Sequence, residues 1–371
     1  MNRVFAVADN IFSPLGATTA ENFRQVMAGN SGIRAVNNSN LSPEVFYASL
    51  FNELPEDALH TRFEKICIAS IADALKNSGI SLSSPDTVFI LSTTKGNIEL
   101  IESNEMSEEL RQRVSLFNTA KKITAHFNAA NKPLVVSNAC ISGVLAVLIA
   151  KRLLQSGAYR HAVVTGADVL SRFIISGFQS LHAMSSDVCK PFDKSRNGIN
   201  LGECAATMVL TAEQKNAVIE IGGGASSNDA NHISGPSRTG HELAYAVSSA
   251  LKESNVSATD LSFISAHGTA TLYNDEMEAK AFAYSGLAKV PLHSLKGHYG
   301  HTLGAAGVVE SIITYHSLLQ QVVLPSKNFS EHGVSEKVNV SNVLQKSDKH
   351  HALKTASGFG GCNAAILYST T

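Results

Sequence analysis

The sequence predicts an α/β protein built from two similar halves that meet near residue 213. Short apolar runs of strand length alternate with longer runs of helix length, the pattern of parallel sheets covered by helices on both faces. The order of elements starts again near Ala217, although the residues show no repeat. With 371 residues the chain is also too long for one small core. We expect halves 1–213 and 214–371 to share one core, since no low-complexity linker separates them.

Apolar periodicity and capping residues define the elements of the first half. Thr18 or Thr19 is expected to cap the first helix, and Gly157 to end the most apolar one. We predict a loop over 29–54, helix within the charged segment 98–130, and irregular structure from Phe173 to Lys190. The predicted strands are Val4–Ala8, Thr87–Ser92, Leu134–Val136, Ala162–Ala167 and Ala206–Leu210, and the predicted helices are Thr19–Ala28, Thr61–Asn77 and Ser142–Gln155.

The second half repeats this alternation with fewer and more widely spaced elements. The predicted strands are Val218–Ile221, Phe263–Ser265, Val290–Ser294 and Ala364–Tyr368, and the predicted helices are His241–Glu253, Asp275–Tyr284 and Gly304–Leu319.

Composition restricts the class of protein. Hydrophobic residues make up 44% and charged residues 16%, which favours an oligomer over a monomer. A net charge of -1 without any basic run argues against nucleic acid and anionic membranes as partners. The chain shows neither a signal-peptide pattern nor an apolar run near the ~20 residues that span a bilayer. We therefore expect a cytoplasmic protein without a membrane span.

The five cysteines are scattered and form no CxxC pair, which argues against disulfides and zinc alike. Cys140 lies between a predicted strand end and a buried helix, where unpaired amides and the helix dipole favour a thiolate. Ser142 and Gly143 leave room for a substrate carbonyl. The alternative is that Cys140 is a small buried hydrophobe, as most free cysteines are. This stretch alone leaves both interpretations open.

Two further segments place a histidine beside small residues at a predicted strand end: SAHGTAT (265–271) and KGHYGHTLGAAG (296–307). A neutral imidazole there can donate a hydrogen bond to an oxyanion or enolate. Any single histidine is more often structural, but three such loops with Cys or His beside glycine favour one shared site. His298 and His301 are separated by glycine on a predicted loop without acidic neighbours, so we predict no metal site.

Taken together, NACISG (138–143), HGTAT and KGHYGHTLGAAG resemble the beta-ketoacyl-acyl carrier protein synthases, the condensing enzymes of fatty acid and polyketide synthesis. KPFDKSRNGINLGE (190–203), DANHISGP (229–236) and SGFGGCNAAI (357–366) resemble further segments of that family, so the similarity covers about residues 1–371. The resemblance implies a thiolase-like fold, with two duplicated α/β halves whose five-stranded mixed sheets pack in αβαβα layers. It implies decarboxylative Claisen condensation of an acyl thioester with malonyl-acyl carrier protein.

The resemblance also implies residue roles. Cys140 matches the acylated nucleophile, and its amide and that of Phe359 match the oxyanion hole, with Gly358 and Gly360 allowing close approach. The remaining matches are His267 and His301 for the malonyl thioester oxygen, Lys296 for orienting that site, Thr269 and Thr271 for the phosphopantetheine arm, Phe359 as a gate, and Glu203, Asp275 and Glu278 as structural residues. The substrates arrive on phosphopantetheine of acyl carrier protein, and no metal or other cofactor is expected.

Some features depart from the family pattern. The loop Ser92–Asn97 lacks the expected glycine-rich form, and Lys95 in it has no family role. These departures, with the compact segments 98–130 and 173–190, suggest a specialised condensing enzyme for polyene or pigment synthesis. A small basic patch for the acidic carrier protein is expected, with Lys95, Lys121 and Lys122 as candidates.

Three alternatives concern assembly and chemistry. The chain is expected to form a homodimer, or a heterodimer with a related ketosynthase-like subunit. In such a heterodimer it would be the catalytic or the chain-length-determining subunit; the second usually lacks the nucleophile. A thiolase would need a second cysteine, for which Cys362 is the candidate.

Overall fold

In the computed structural model, residues 2–54, 57–213 and 217–371 are described. The strands are β1 (Phe5–Phe12), β2 (Ile33–Val36), β3 (Phe46–Ser49), β4 (Thr87–Ser92), β5 (Leu134–Val136), β6 (His161–Asp168), β7 (Leu201–Gly202), β8 (Cys204–Thr211), β9 (Ile219–Asn228), β10 (Leu261–Ser265), β11 (Leu292–His293), β12 (Val322–Val323), β13 (Gln345–Lys346), β14 (His351–Gly358) and β15 (Cys362–Thr370). The helices are α1 (Thr19–Met27), α2 (Arg62–Lys76), α3 (Glu108–Val114), α4 (Leu116–His126), α5 (Ser142–Gln155), α6 (Arg172–Ser180), α7 (His241–Ser254), α8 (Leu272–Tyr284), α9 (Lys296–Tyr299) and α10 (Ala306–Leu319).

Within the described residues, ten strands form one continuous sheet in the order β11-β10-β14-β15-β9-β1-β8-β6-β4-β5. Each half contributes five strands with the same pairing pattern. From β1 outward the pairings are antiparallel, antiparallel, parallel and parallel, and from β9 outward they are the same. The predicted duplication is therefore confirmed in the strand pairing. The two five-stranded units are joined where β1 pairs with β9 at Phe5–Glu220 and Ala6–Ile219.

Helices cover this sheet in three layers. Helix α2 packs on β1, β8 and β6, and α7 packs on β9 and β15 with α8 beside it. Helices α5 and α10 contact each other and strands of both halves, so they lie between the two five-stranded units. Their crossing needs glycine, because a Cβ on Gly307 would lie 2.3 Å from the Val144 amide nitrogen and one on Gly143 2.7 Å from the Gly307 Cα. The predicted αβαβα layering is confirmed.

Two predictions about local structure are wrong. The segment 29–54 contains β2 and β3, because Val36, Phe46 and Ala48 are buried in a small core despite their Asn- and Ser-rich surroundings. Helix α6 occupies part of 173–190, and Ser171 caps its start because the Ser171 side chain accepts the Ile174 N–H. Strand β14 and the two-residue strands β7, β12 and β13 were not predicted.

The other predicted elements are present. Several match within a residue or two, and β4, β5 and α5 match to the residue. The first helix is capped by Thr18, which forms a capping box with Glu21, and Gly157 follows α5 with a left-handed φ of 76°. The predicted division at residue 213 adjoins residues 214–216, which lie outside the described residues, so that boundary stays a prediction. Across the described helices, none is long and apolar enough to cross a membrane.

Candidate active site

Cys140 lies in a tight turn between β5 and α5. The preceding Ala139 has a φ of 43°, unusual for a residue with a side chain. Ser142 closes the turn, since its hydroxyl donates to the Ala139 carbonyl at 2.6 Å and accepts the Asn138 N–H at 2.8 Å. These bonds hold the cysteine at the start of α5, with its side chain almost completely buried.

His301 is the nearest functional side chain to the cysteine sulfur, with its Nε2 3.1 Å from the Cys140 Sγ. The Leu303 N–H donates to His301 Nδ1 at 3.3 Å, so the neutral ring carries its proton on Nε2 and donates toward the sulfur. Gly300 sets the loop: its φ is 69°, and a Cβ there would lie 2.5 Å from the Leu201 carbonyl oxygen. The sequence therefore delivers a hydrogen-bond donor to the nucleophile.

His267 follows β10 and lies edge-on to His301, with the ring centroids 5.2 Å apart and the planes at 83°. Glu278 fixes its loop by accepting the His267 amide at 2.9 Å and the Gly268 amide at 2.6 Å. In the described residues His267 Nδ1 is buried without a hydrogen-bond partner. A buried imidazole with a free nitrogen is suited to binding a polar ligand atom.

Burial and two nearby cations control the protonation of these histidines. The pKa of both His267 and His301 is well below the usual value, because burial and the positive charges of Lys296 and Lys354 disfavour imidazolium. Lys296 is fully buried and bonded to Glu310. Both imidazoles are therefore neutral at physiological pH.

Burial also raises the pKa of the Cys140 thiol to about 12, against the opposing effects of Lys296 and of the Phe359 amide. This direction is opposite to the thiolate that the sequence predicted from the helix start, because desolvation of the sulfur outweighs the donors around it. The resting pair is a thiol beside a neutral imidazole.

The loop after β14 provides the second wall of the site. The Phe359 amide lies near enough to the Cys140 sulfur to lower the pKa of the thiol, and a Cβ on Gly358 would be 2.9 Å from the Cys140 nitrogen. Gly360 continues the turn with a φ of 86°. The Phe359 ring rests on Phe178 of α6, with centroids 5.9 Å apart, and is 38% exposed.

The Cys140, His267 and His301 side chains line a cavity of about 410 Å³. Thr269 and Thr271 form one side, and their hydroxyls are 2.9 Å apart. The other walls combine apolar side chains with polar ones: Phe178, Leu181, Ile199, Leu272, Tyr273 and Phe359 with Asn197, Asp229, His232, Asn274 and Asn363. This arrangement can bind a substrate that has both apolar and polar parts and that ends at the sulfur.

Three buried carboxylates bind backbone amides around the site. Glu203 accepts the Leu170 N–H at 3.0 Å, and Asp275 accepts the Phe192 N–H at 2.7 Å. Burial raises the pKa of Asp275 to about 7. With Glu278 these residues hold loops in place and do not face the sulfur.

Sequence reasoning missed several residues near the site. Asp168 accepts the Thr93 hydroxyl and the Gly304 amide, joining the loop after β4 to the start of α10. Glu310 and Lys354 are buried beside Lys296. The sequence could have indicated Glu310 and Lys354, since each is the one charged residue within an otherwise apolar helix or strand.

Other predicted candidates lie elsewhere. Lys121 and Lys122 are on α4, on the outer face of the first half, where Lys122 is 4.0 Å from Glu64. Lys95 donates its amide to Asp168 at 3.3 Å. Cys362 is buried, with its Sγ 3.5 Å from the Phe359 carbonyl oxygen.

The three side chains at the base of the cavity are also types that bind zinc, and one ligand atom from each lies within 4.8 Å of the others. The ammonium groups of Lys296 and Lys354 oppose a cation there. His298 is not part of this group, since its Nδ1 lies 2.6 Å from the Asn30 carbonyl oxygen.

Comparison with known proteins identifies the family. The profile of the beta-ketoacyl synthase N-terminal domain matches residues 1–216, and that of the beta-ketoacyl synthase C-terminal domain matches residues 218–330. The chain belongs to the beta-ketoacyl synthase family and is an acyltransferase.

Relatives come from both fatty acid and polyketide synthesis. The chain is 28% identical to 3-oxoacyl-[acyl-carrier-protein] synthase 2 of Vibrio harveyi, covering 99% of this chain and 98% of the relative. It is 26% identical to the tetracenomycin polyketide synthase ketoacyl synthase alpha subunit of Streptomyces glaucescens, covering 98% and 97%.

Solved structures share the whole fold. A ketosynthase solved with its chain length factor from Xenorhabdus doucetiae superposes with a TM-score of 0.90 at 24% identity, covering 100% of this chain and 98% of the other. The ishigamide ketosynthase/chain length factor gives a TM-score of 0.90 at 25% identity, covering 100% and 99%. The predicted thiolase-like fold and family are confirmed.

Proposed function

We propose that the chain condenses an acyl thioester, loaded on Cys140, with malonyl-acyl carrier protein to give a 3-oxoacyl-acyl carrier protein in fatty acid or polyketide synthesis. The observation that carries the proposal is the contact of 3.1 Å between Cys140 Sγ and His301 Nε2, with His267 beside it at the base of the cavity. One nucleophile and two neutral donors at one point are what the two half-reactions require.

In the first half-reaction the Cys140 sulfur attacks the thioester carbonyl. The amides of Cys140 and Phe359 stabilise the oxyanion, and the neighbouring glycines let that backbone approach. The bond to the phosphopantetheine sulfur breaks, and the leaving thiolate takes up the proton that Cys140 loses. Atoms and charge balance without a separate base.

In the second half-reaction the malonyl thioester oxygen accepts hydrogen bonds from His267 and His301. The malonyl carboxylate leaves as carbon dioxide, and the electron pair of the broken C–C bond forms the enolate. The enolate carbon attacks the acyl carbonyl, and the Cys140 sulfur departs as a thiolate that takes up a proton from water to restore the resting thiol. Two neutral donors suit this step because negative charge develops on the oxygen that they bind.

Lys296 orients the histidine pair through its ion pair with Glu310, while Thr269 and Thr271 bind the phosphopantetheine arm. Phe359 gates entry of the second substrate by leaving its contact with Phe178. The proposal assigns no step to a metal or nucleotide, since the Cys140 nucleophile, the two imidazole donors and the two backbone amides are all groups of this chain.

We propose acyl carrier protein as the substrate carrier and a related chain as the dimer partner. The relatives of this fold include ketosynthases solved with a chain length factor and one solved with an acyl carrier protein. In the described residues β5 is an edge strand, with Leu134 39% exposed and Phe117 of the adjacent α4 44% exposed. An open apolar edge favours pairing with another chain.

In a heterodimer this chain would be the catalytic member, because Cys140, His267, His301 and Lys296 are all present and meet at one site. A cytoplasmic location fits the five free cysteines.

Intact-mass spectrometry after incubation with a panel of acyl-carrier proteins tests the proposal. A mass gain of one acyl group, absent in Cys140→Ala, is expected and names the preferred primer. If loading needs a co-purified ketosynthase-like partner, the active unit is a heterodimer. No loading under either condition would refute the condensing function.

A further inference from the structure

Lys354 is a fully buried lysine in the middle of β14, and the reaction described above gives it no role. Its ammonium lies 2.6 Å from Glu310 Oε2 and donates to the carbonyl oxygens of Ser265 at 3.2 Å and Ala266 at 3.4 Å. Desolvating an ammonium is costly, so a buried lysine needs compensation from its partners. Here the compensation comes from Glu310, from the end of β10, from the Thr355 carbonyl oxygen at 2.5 Å on β14 itself, and from the nearby Glu278 carboxylate.

The Glu310 carboxylate is already in use. Glu310 Oε1 binds Lys296, so two ammonium groups contact the same carboxylate, and Glu278 is the further carboxylate that acts on Lys354. Both ammonium groups act on His267 and His301, and together with burial they lower the pKa of both histidines. In a site from which water is excluded, such a charge acts over several ångströms.

The carbonyls that Lys354 binds belong to the last residue of β10 and the residue after it. His267 is the next residue along the chain. The lysine therefore ties the strand end that carries His267 to the carboxylate that holds Lys296. These two groups come from separate elements, and Lys354 is the side chain that bonds to both.

We propose that Lys354 is a positioning residue for the malonyl half-reaction: it aligns the His267 strand end with the Lys296–Glu310 pair and stabilises the enolate electrostatically. The inference rests on the proposed condensing function. It assigns Lys354 no part in loading the acyl group, because that step uses the amides at Cys140 and Phe359.

The groups facing Lys354 determine its pH effect. They are Glu310 from α10, Lys296 from α9, Glu278 from α8, His293 from β11 and the two site histidines. Burial and Lys354 lower the pKa of His293 to about 3, so it stays neutral. A nearby cation lowers the pKa of His267 and His301, so removing it raises both. The acid side of the decarboxylation profile then moves to higher pH, because imidazolium replaces the neutral ring there.

Lys354→Met tests the inference with a side chain of similar length and no charge. Lys296 and Glu310 then remain as a neutral pair, so folding is expected to persist. Lys349→Met is the matched control, since Lys349 is exposed and donates at 3.0 Å to the Leu261 carbonyl at the opposite end of β10. Acyl loading is measured by intact mass, and carbon dioxide release from malonyl-carrier protein is measured from pH 5 to 9.

We expect Lys354→Met to load the acyl group within about twofold of the wild type and to release carbon dioxide at least about tenfold more slowly at pH 7. Its acid limb should lie at higher pH, while Lys349→Met should match the wild type. If Lys354→Met does not fold, Lys354→Gln takes its place in the same assays.

Two other results would overturn the inference. Unchanged carbon dioxide release with an unchanged acid limb would remove any role in the malonyl step. An equal fall in loading and release, with the acid limb unmoved, would assign Lys354 to the fold alone. If the wild type itself neither loads nor decarboxylates, the proposed function fails first, and the two failures are distinguished.

Discussion

The two halves of the molecule share one frame and place different chemistry at equivalent points. Strand β5 leads through a tight turn into α5, and β11 leads through α9 and its loop into α10. The first connection carries Cys140, the proposed nucleophile, and the second carries Lys296 and His301. The two helices that follow meet at Gly143 and Gly307, which brings the two connections together.

The next pair of strands differs more. The loop after β4, Thr93 to Asn97, is bound to the buried Asp168. The loop after β10, His267 to Thr271, is bound to the buried Glu278 and opens onto the cavity. Both loops are held by a carboxylate, but only the second supplies side chains to the cavity. The duplicated fold thus provides equivalent loop positions in the two halves, and some of these positions supply side chains to the cavity while others do not.

The largest effect is expected at the crossing of α5 and α10, which holds the two halves together. Gly307→Ala should destabilise the fold by about 3 kcal/mol or more, because its Cβ would lie 2.3 Å from the Val144 nitrogen and overpacking separates the two helices. Gly177→Ala on α6 is the control, since a Cβ there meets nothing within 4 Å. Chemical unfolding measures both, and equal stability of the two variants would contradict the account of the crossing.

The protonation state of Cys140, which lies in the first half, can be tested by alkylation. With the Cys140 pKa at about 12, iodoacetamide modification of this residue should rise about tenfold per pH unit from pH 6 to 9 without a plateau. Burial disfavours the thiolate, so the reactive form stays rare throughout this range. Peptide mass spectrometry identifies the modified cysteine. A plateau with a midpoint near pH 7 would show that the helix start outweighs burial.

Threonines in the loops after β4 and β10 test whether these equivalent loops have different roles. Thr269→Val should raise the KM for carrier-bound substrate about tenfold, since it removes a hydroxyl from the cavity wall. Thr94→Val removes a hydroxyl that donates to Asp168 at 3.0 Å, and should lower stability by about 1 kcal/mol with little effect on KM. Steady-state kinetics and thermal unfolding distinguish the two. A shift in KM for Thr94→Val would show that both loops serve the cavity.

The smallest effect is expected at Cys362. Cys362→Ser should leave condensation nearly unchanged, because its sulfur lies under the Gly358–Phe359 backbone and does not line the cavity. The comparison is with Cys140→Ser in the same turnover assay. A collapse of turnover in Cys362→Ser would revive the thiolase alternative.

The sequence predicted what depends on local pattern and on conspicuous residues. Fully apolar strands such as β4 and helices such as α5 have clear periodicity and ends, and the glycine-flanked Cys140, His267 and His301 stand out. Strand β14 was missed because Lys354 interrupts its apolar run, and the need for a charge there comes from distant residues. The prediction of a loop where β2 and β3 form a hairpin was wrong for a related reason, since the core contacts of this hairpin are with residues distant in the sequence. The protonation of Cys140 also depends on burial, which a helix-start pattern does not reveal.

The most direct test measures both half-reactions in one variant, His267→Ala. Intact mass follows acyl loading of this variant, and carbon dioxide release from malonyl-carrier protein follows the second half-reaction. We predict that Cys140 still loads its acyl group and that release falls at least about a hundredfold, because the variant loses one of two donors to the enolate oxygen. Loss of loading together with undiminished carbon dioxide release would contradict the assignment of acyl loading to Cys140 and of decarboxylation to the histidine pair.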